Sequence, residues 1–113
     1  MNPELEREVN QLHAEFCAGL ADPKRILLIY ALSEGPRNVG DLAESLHLSQ
    51  PAVSRHLKVL RERGMVIATR HGPSVEYRIG DARLIEALDL LRAALRDHLS
   101  HRAELAGAFI EER

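Results

Sequence analysis

Apolar residues open this chain at a spacing of three or four, with Leu5, Val9, Leu12 and Phe16 forming one series. That is the period of one helical face. Asn2-Pro3 precedes the series and supplies a capping side chain, then a proline where no N–H is needed. A first helix is therefore predicted over residues 3–18. Asp22-Pro23 repeats the start signal. Ile26, Leu27, Ile29, Tyr30 and Leu32 follow, apolar on most sides, and predict a buried second helix that Gly35-Pro36 ends. Asn38 should cap a short third helix with Val39, Leu42, Ala43 and Leu46 inward. After His47-Leu48-Ser49 comes a fourth helix, capped by Ser49, striped by Val53, Leu57 and Leu60, and stopped at Gly64.

Beyond Gly64 the period changes to two. Val75, Tyr77 and Ile79 alternate with Glu76 and Arg78, and His71-Gly72-Pro73-Ser74 supplies a turn. This predicts a two-stranded hairpin within residues 65–79. A last helix over residues 82–110, with Asp81 as its cap, carries Leu84, Leu88, Leu91, Leu95 and Leu99 on one side. The expected fold is mainly α with a small β-hairpin: four helices, two strands and a fifth helix in a single domain over residues 1–113. That order describes a winged helix-turn-helix. The seams on the first and last helices are narrow, which suits helix–helix packing. Each seam also suits a face turned to the chain's own core. With so small a central core, dimerisation through these two helices is the expectation.

Composition narrows the class. A chain of 113 residues with 45% hydrophobic and 28% charged positions is ordinary for a globular domain. Trp is absent and aromatics reach 4%, so Leu, Ile, Val and Ala must fill the core. A single cysteine cannot form an internal disulfide. The N-terminal stretch MNPELEREVNQLH is too charged for a signal peptide. No apolar run approaches the roughly 20 residues of a membrane span, so a cytoplasmic location is expected. No Gly-rich phosphate loop, HExxH or nucleophile elbow occurs, and an enzyme is not expected.

Charge distribution changes the picture more than its total. The formal net charge is −2. Between Ser49 and Arg78, however, six Lys/Arg face only Glu62 and Glu76, while the remainder of the chain is acidic. A basic stretch on an acidic body is a local footprint for nucleic acid. It begins at the fourth helix, the second of two short helices joined by a tight turn, and runs on into the hairpin. That pattern is a helix-turn-helix, whose second helix must enter a major groove about 12 Å wide. With Val53, Leu57 and Leu60 docked inward, Gln50, Pro51, Ser54, Arg55 and Lys58 point away from the core. Gln suits adenine and Arg suits guanine, while Ser and Lys suit phosphate. Ser49 at the helix start, and Arg70 and His71 at the hairpin tip, complete the expected duplex-DNA-binding set. The rival class is a protein-interaction module that kept this shape without binding DNA. Such a module would present apolar or acidic groups on the fourth helix, where this chain presents polar and basic ones.

The segments LADPKRILLIYAL, VGDLAESLHLSQPAVSRHLKVLRERGMV and RHGPSVEYRI resemble the ArsR/SmtB family of bacterial repressors. The resemblance covers about Phe16 to Leu99. It implies a homodimer built on the first and last helices, which binds an inverted-repeat operator and is released by an inducer, often a metal ion. It also places base contacts on Gln50, Pro51, Ser54 and Arg55. Two metal sites known in the family can be sought here. Paired cysteines in the third helix are missing from NVGDLAESL. In the last helix His98-x-x-His101 and His101-x-x-Glu104 match the downstream half of a site, but Ile85 and Ala87 stand where the upstream ligands belong. His13 and Cys17, four apart on the first helix, are the other candidates. With His98 and His101 they form a candidate set for a divalent ion such as zinc. Against this, Cys is commonly a small buried hydrophobe and helix-end histidines are commonly solvated. A Cys17–Cys17 bond across the dimer is a further candidate signal.

Overall fold

The computed structural model describes residues 1–111, and the side chains of residues 1–107. Helix α1 spans Pro3–Leu12, and Asn2 Oδ1 accepts the Glu4 N–H at 2.8 Å to cap it. The helix does not stop at Leu12. His13–Cys17 continue it as one wider π turn before regular helix resumes at Ala18 and Gly19. Such a turn inserts a residue into the helical ladder. It leaves the apolar series of 5, 9, 12 and 16 unbroken, so the sequence pattern gives no sign of it.

Helix α2 is Pro23–Ser33, capped by Asp22, whose Oδ1 accepts from the Lys24 N–H at 2.8 Å. Its buried residues are Leu28, Ile29 and Leu32. Leu27, expected inside, is 52% exposed. The buried face of α2 is the one that carries Leu28, Ile29 and Leu32, so an apolar series running most of the way round is not all covered. Strand β1 (Arg37–Asn38) comes next, then α3 (Val39–Leu46), with Asn38 Oδ1 accepting from the Asp41 N–H at 2.8 Å. Helix α4 is Gln50–Glu62, and the strands of the wing are β2 (Val66–His71) and β3 (Ser74–Ile79).

The core of this part is Leu28, Ile29 and Leu32 from α2, Leu42 and Ala43 from α3, Val53, Leu57 and Leu60 from α4, with Met65 and Val66. Each fully buried Leu or Val stabilises the fold by roughly 1.5–3 kcal/mol. That apolar patch is what clamps α4 to α2 and α3.

The sheet has three strands in the order β1-β3-β2, all antiparallel, so the expected hairpin gains a strand. Arg37 lies opposite Tyr77 and Asn38 opposite Glu76. A two-residue strand is too short to declare itself by alternation. In the hairpin, Val66 pairs with Ile79 and His71 with Ser74. Gly72 turns the chain at φ +63°, ahead of Pro73, which suits a tight two-residue hairpin loop.

Residues 1–82 form one compact unit and α5 (Arg83–Glu111) belongs to a second. On α5, Leu91, Leu95 and Leu99 follow one another at helical spacing and are about half or more exposed. Among the described residues no helix is long and apolar enough to cross a membrane.

Candidate nucleic-acid interface

The turn between α3 and α4 begins at His47, whose φ of +54° puts it in the left-handed region. The Leu48 N–H then reaches back to the Ala43 carbonyl at 3.0 Å, closing the end of α3. A left-handed residue with this reverse bond is how a helix is ended sharply. Ser49 follows in extended backbone, and its Oγ accepts the Ala52 N–H at 3.2 Å to start α4. Pro51, in the first turn, removes a donor that would have no helical partner. Turn, cap and proline together fix where α4 begins relative to α3.

Once α4 is docked by Val53, Leu57 and Leu60, all fully buried, its opposite face is settled. Ser49, Gln50, Pro51, Ser54, Arg55, Lys58 and Arg61 are exposed. The Gln50 amide lies beside the first turn of α3, where a Cβ added to Gly40 would stand 3.7 Å from Nε2. Ser49 keeps its hydroxyl hydrogen for an outside acceptor while its oxygen serves the cap. No acidic side chain interrupts the exposed face from Ser49 to Arg61; Glu62 follows at the helix end.

Arg70 and His71 are exposed at the tip of the wing. His71 Nε2 lies 3.6 Å from Glu76 Oε1 on the neighbouring strand. At the other edge, Arg37 donates to Ser45 Oγ at 2.9 Å and to Glu34 Oε2 at 2.7 Å, bracing β1 between the end of α2 and α3.

A second brace lies under α4, and sequence reasoning missed it. Arg25 donates from Nε to the Gly19 carbonyl at 2.7 Å and from Nη2 to the Ala18 carbonyl at 3.3 Å. Its Nη1 faces His56 Nδ1 at 3.4 Å. The Asp22 carboxylate lies 4.0 Å from His56 Nε2. Arg25 and His56 are 31 positions apart in the chain, and no local pattern links them.

The metal candidates remain as two pairs. His13 and Cys17 bound the π turn and are exposed; His98 and His101 are exposed on α5. Among the described residues no three His, Cys, Asp or Glu side chains are grouped to hold a metal ion. Helix α3 has no cysteine, and Ile85 and Ala87 on α5 offer no donor atoms. Neither metal site known from the family fits this chain.

Comparison with known proteins bears on the whole arrangement. A family model described as bacterial regulatory protein, arsR family, matches residues 22–68. The HTH-type transcriptional repressor SmtB of Mycobacterium tuberculosis is 41% identical over 78 residues, which is 69% of this chain and 58% of that protein. The chain thus spans less than two thirds of that relative. The biofilm growth-associated repressor of Agrobacterium fabrum is 36% identical over 100 residues, covering 86% of this chain and 85% of that one. Among solved structures, the homodimeric winged helix-turn-helix DNA-binding domain of Mb0332 from Mycobacterium bovis superposes with a TM-score of 0.75. It is 25% identical and covers 89% of this chain and 93% of its own.

Proposed function

This chain belongs to the ArsR family of bacterial regulatory proteins, and we propose that it is a transcriptional repressor that binds an inverted-repeat DNA operator as a homodimer. The observation that carries this reading is the two-faced α4. One face is fully buried apolar side chains; the other is an uninterrupted polar and basic surface. An α-helix of that kind, held at its start by a tight turn, is suited to the major groove.

In this reading Gln50, Pro51, Ser54 and Arg55 meet base edges, and Ser49 and Lys58 meet phosphates. Arg70 and His71 on the wing reach the adjacent minor groove or backbone. Repression follows from occupancy of the operator, and a DNA partner places the work in the cytoplasm. The half-exposed seam of α1, Leu5, Val9 and Leu12, and that of α5 supply apolar surface for a second copy.

The test is a titration of a fluorescent duplex from upstream of the protein's own gene against a scrambled duplex of equal length. The expected result is saturable binding that prefers the upstream duplex by at least roughly 1,000-fold at moderate salt. Equal affinity for the two duplexes would refute sequence-specific repression. Absence of binding at low salt would favour an interaction module instead.

A further inference from the structure

We propose that Arg25 and His56 are positioning residues that set the rotation of the DNA-reading helix by tying it to the end of the first helix. The inference rests on the DNA-binding reading above. It begins from a weakness in how α4 is held. Val53, Leu57 and Leu60 clamp the helix through apolar burial, which is strong but non-directional. A rotation of about 20° would move side chains at a radius of roughly 5–6 Å by about 2 Å. That is enough to break a bidentate contact to a base edge. Burial of one face sets which side of α4 is exposed, and directional contacts on its flank add the finer restraint on rotation.

His56 provides one. It sits on the flank of α4, between outward Arg55 and buried Leu57, with its side chain only 17% exposed. On one side its Nδ1 faces the Arg25 guanidinium at 3.4 Å. Arginine can only donate, so Nδ1 accepts and the ring hydrogen sits on Nε2. That hydrogen faces the Asp22 carboxylate at 4.0 Å. A ring in the Nε2–H form accepts from Arg25 and turns its hydrogen toward a carboxylate that lies just beyond hydrogen-bond distance.

Arg25 provides the other half. Two of its nitrogens are taken by the Gly19 and Ala18 carbonyls, where the π-turned first helix ends. A planar guanidinium with fixed donor directions cannot follow a rotating His56 without giving up those carbonyls. Asp22 is fixed too, because its other oxygen caps α2. Gly19 closes the arrangement, since a Cβ there would stand 2.8 Å from Met65 Sδ and 3.0 Å from Arg63 Cδ. The end of the first helix, the start of α2 and the flank of α4 are thereby held in one register.

The experiment has two arms. Imidazole nitrogen shifts of the intact protein, at a pH where the ring is neutral, report the His56 tautomer without DNA. The relay requires Nε2–H in the parent and a tautomer mixture in Arg25→Met. Titrations of the specific and scrambled duplexes then compare the parent with Arg25→Met, His56→Leu and His56→Asn, each checked for folding by thermal unfolding. Arg25→Met and His56→Leu are expected to lose about tenfold on the specific duplex, with scrambled binding and the salt slope unchanged. His56→Asn, whose side-chain oxygen can still accept from Arg25, should stay within about threefold of the parent. The double variant should lose no more than the worse single one. An Nδ1–H tautomer in the parent, folded variants that bind like the parent, or equal losses on both duplexes would overturn the relay. A parent that binds no DNA would overturn the repressor reading instead, and the tautomer alone then decides the relay.

Discussion

Arg55 and Lys58 stand three positions apart on the exposed face of α4, yet they should respond differently to alanine. If Arg55 reads a base edge, Arg55→Ala lowers affinity for the cognate duplex by roughly 1–3 kcal/mol and relaxes specificity at one position. Lys58→Ala should weaken all duplexes alike and reduce the salt slope by about one unit. Titrations over a salt series separate the two, and parental behaviour in both would mean that α4 does not enter the groove. His47 invites the opposite kind of change. It is the one non-glycine residue with positive φ among the described residues, and it is exposed. An L-residue in that conformation costs roughly 1–2 kcal/mol, and glycine's extra unfolded-state entropy returns part of it. His47→Gly should therefore raise stability by up to about 1 kcal/mol. A lower melting temperature for the variant would show that the imidazole makes a compensating contact.

At the scale of elements, Gly80 is the tightest steric point. A Cβ there would stand 2.5 Å from the Gly64 carbonyl oxygen, which is backbone and cannot swing away. Gly80 also donates its N–H to the Met65 carbonyl at 3.0 Å. Gly80→Ala should cost roughly 1–3 kcal/mol by forcing β3 away from the end of α4. Chemical denaturation measures this, and a neutral result would mean that the strand end relaxes freely. Most elements were legible in advance because their signals are local. Asn2, Asp22, Asn38 and Ser49 each cap the helix that their position announces. The inward stripe of α4 followed from spacing alone, and with it the exposed set on the other face. What escaped was either too short or too distant to leave a pattern. β1 has two residues, the π turn preserves the apolar spacing around it, and Arg25 meets His56 across 31 positions. Leu27 was misplaced inside because hydrophobicity reports what can be buried, not which side is covered.

For the whole molecule, the total charge of −2 says little, because the positive charge is concentrated between Ser49 and Arg78. An acidic body should limit indiscriminate DNA binding while the basic head retains attraction at short range. The inducer is a separate matter. The set of His13, Cys17, His98 and His101 rests on the sequence, and it makes a definite demand. If this set is what senses a metal, Cys17→Ser and His98→Ala should each weaken zinc binding and zinc-dependent DNA release together. Unchanged values in both variants, or no zinc bound by the parent, would remove the set. The central claim, a dimer that reads DNA with two copies of α4, is tested most directly by hydroxyl-radical footprinting on the upstream duplex with stoichiometry measured in parallel. The account predicts two chains per site and two protected segments with centres about one helical turn apart, roughly 34 Å. A single protected segment bound by one chain, or no protection above that on scrambled DNA at low salt, would contradict it.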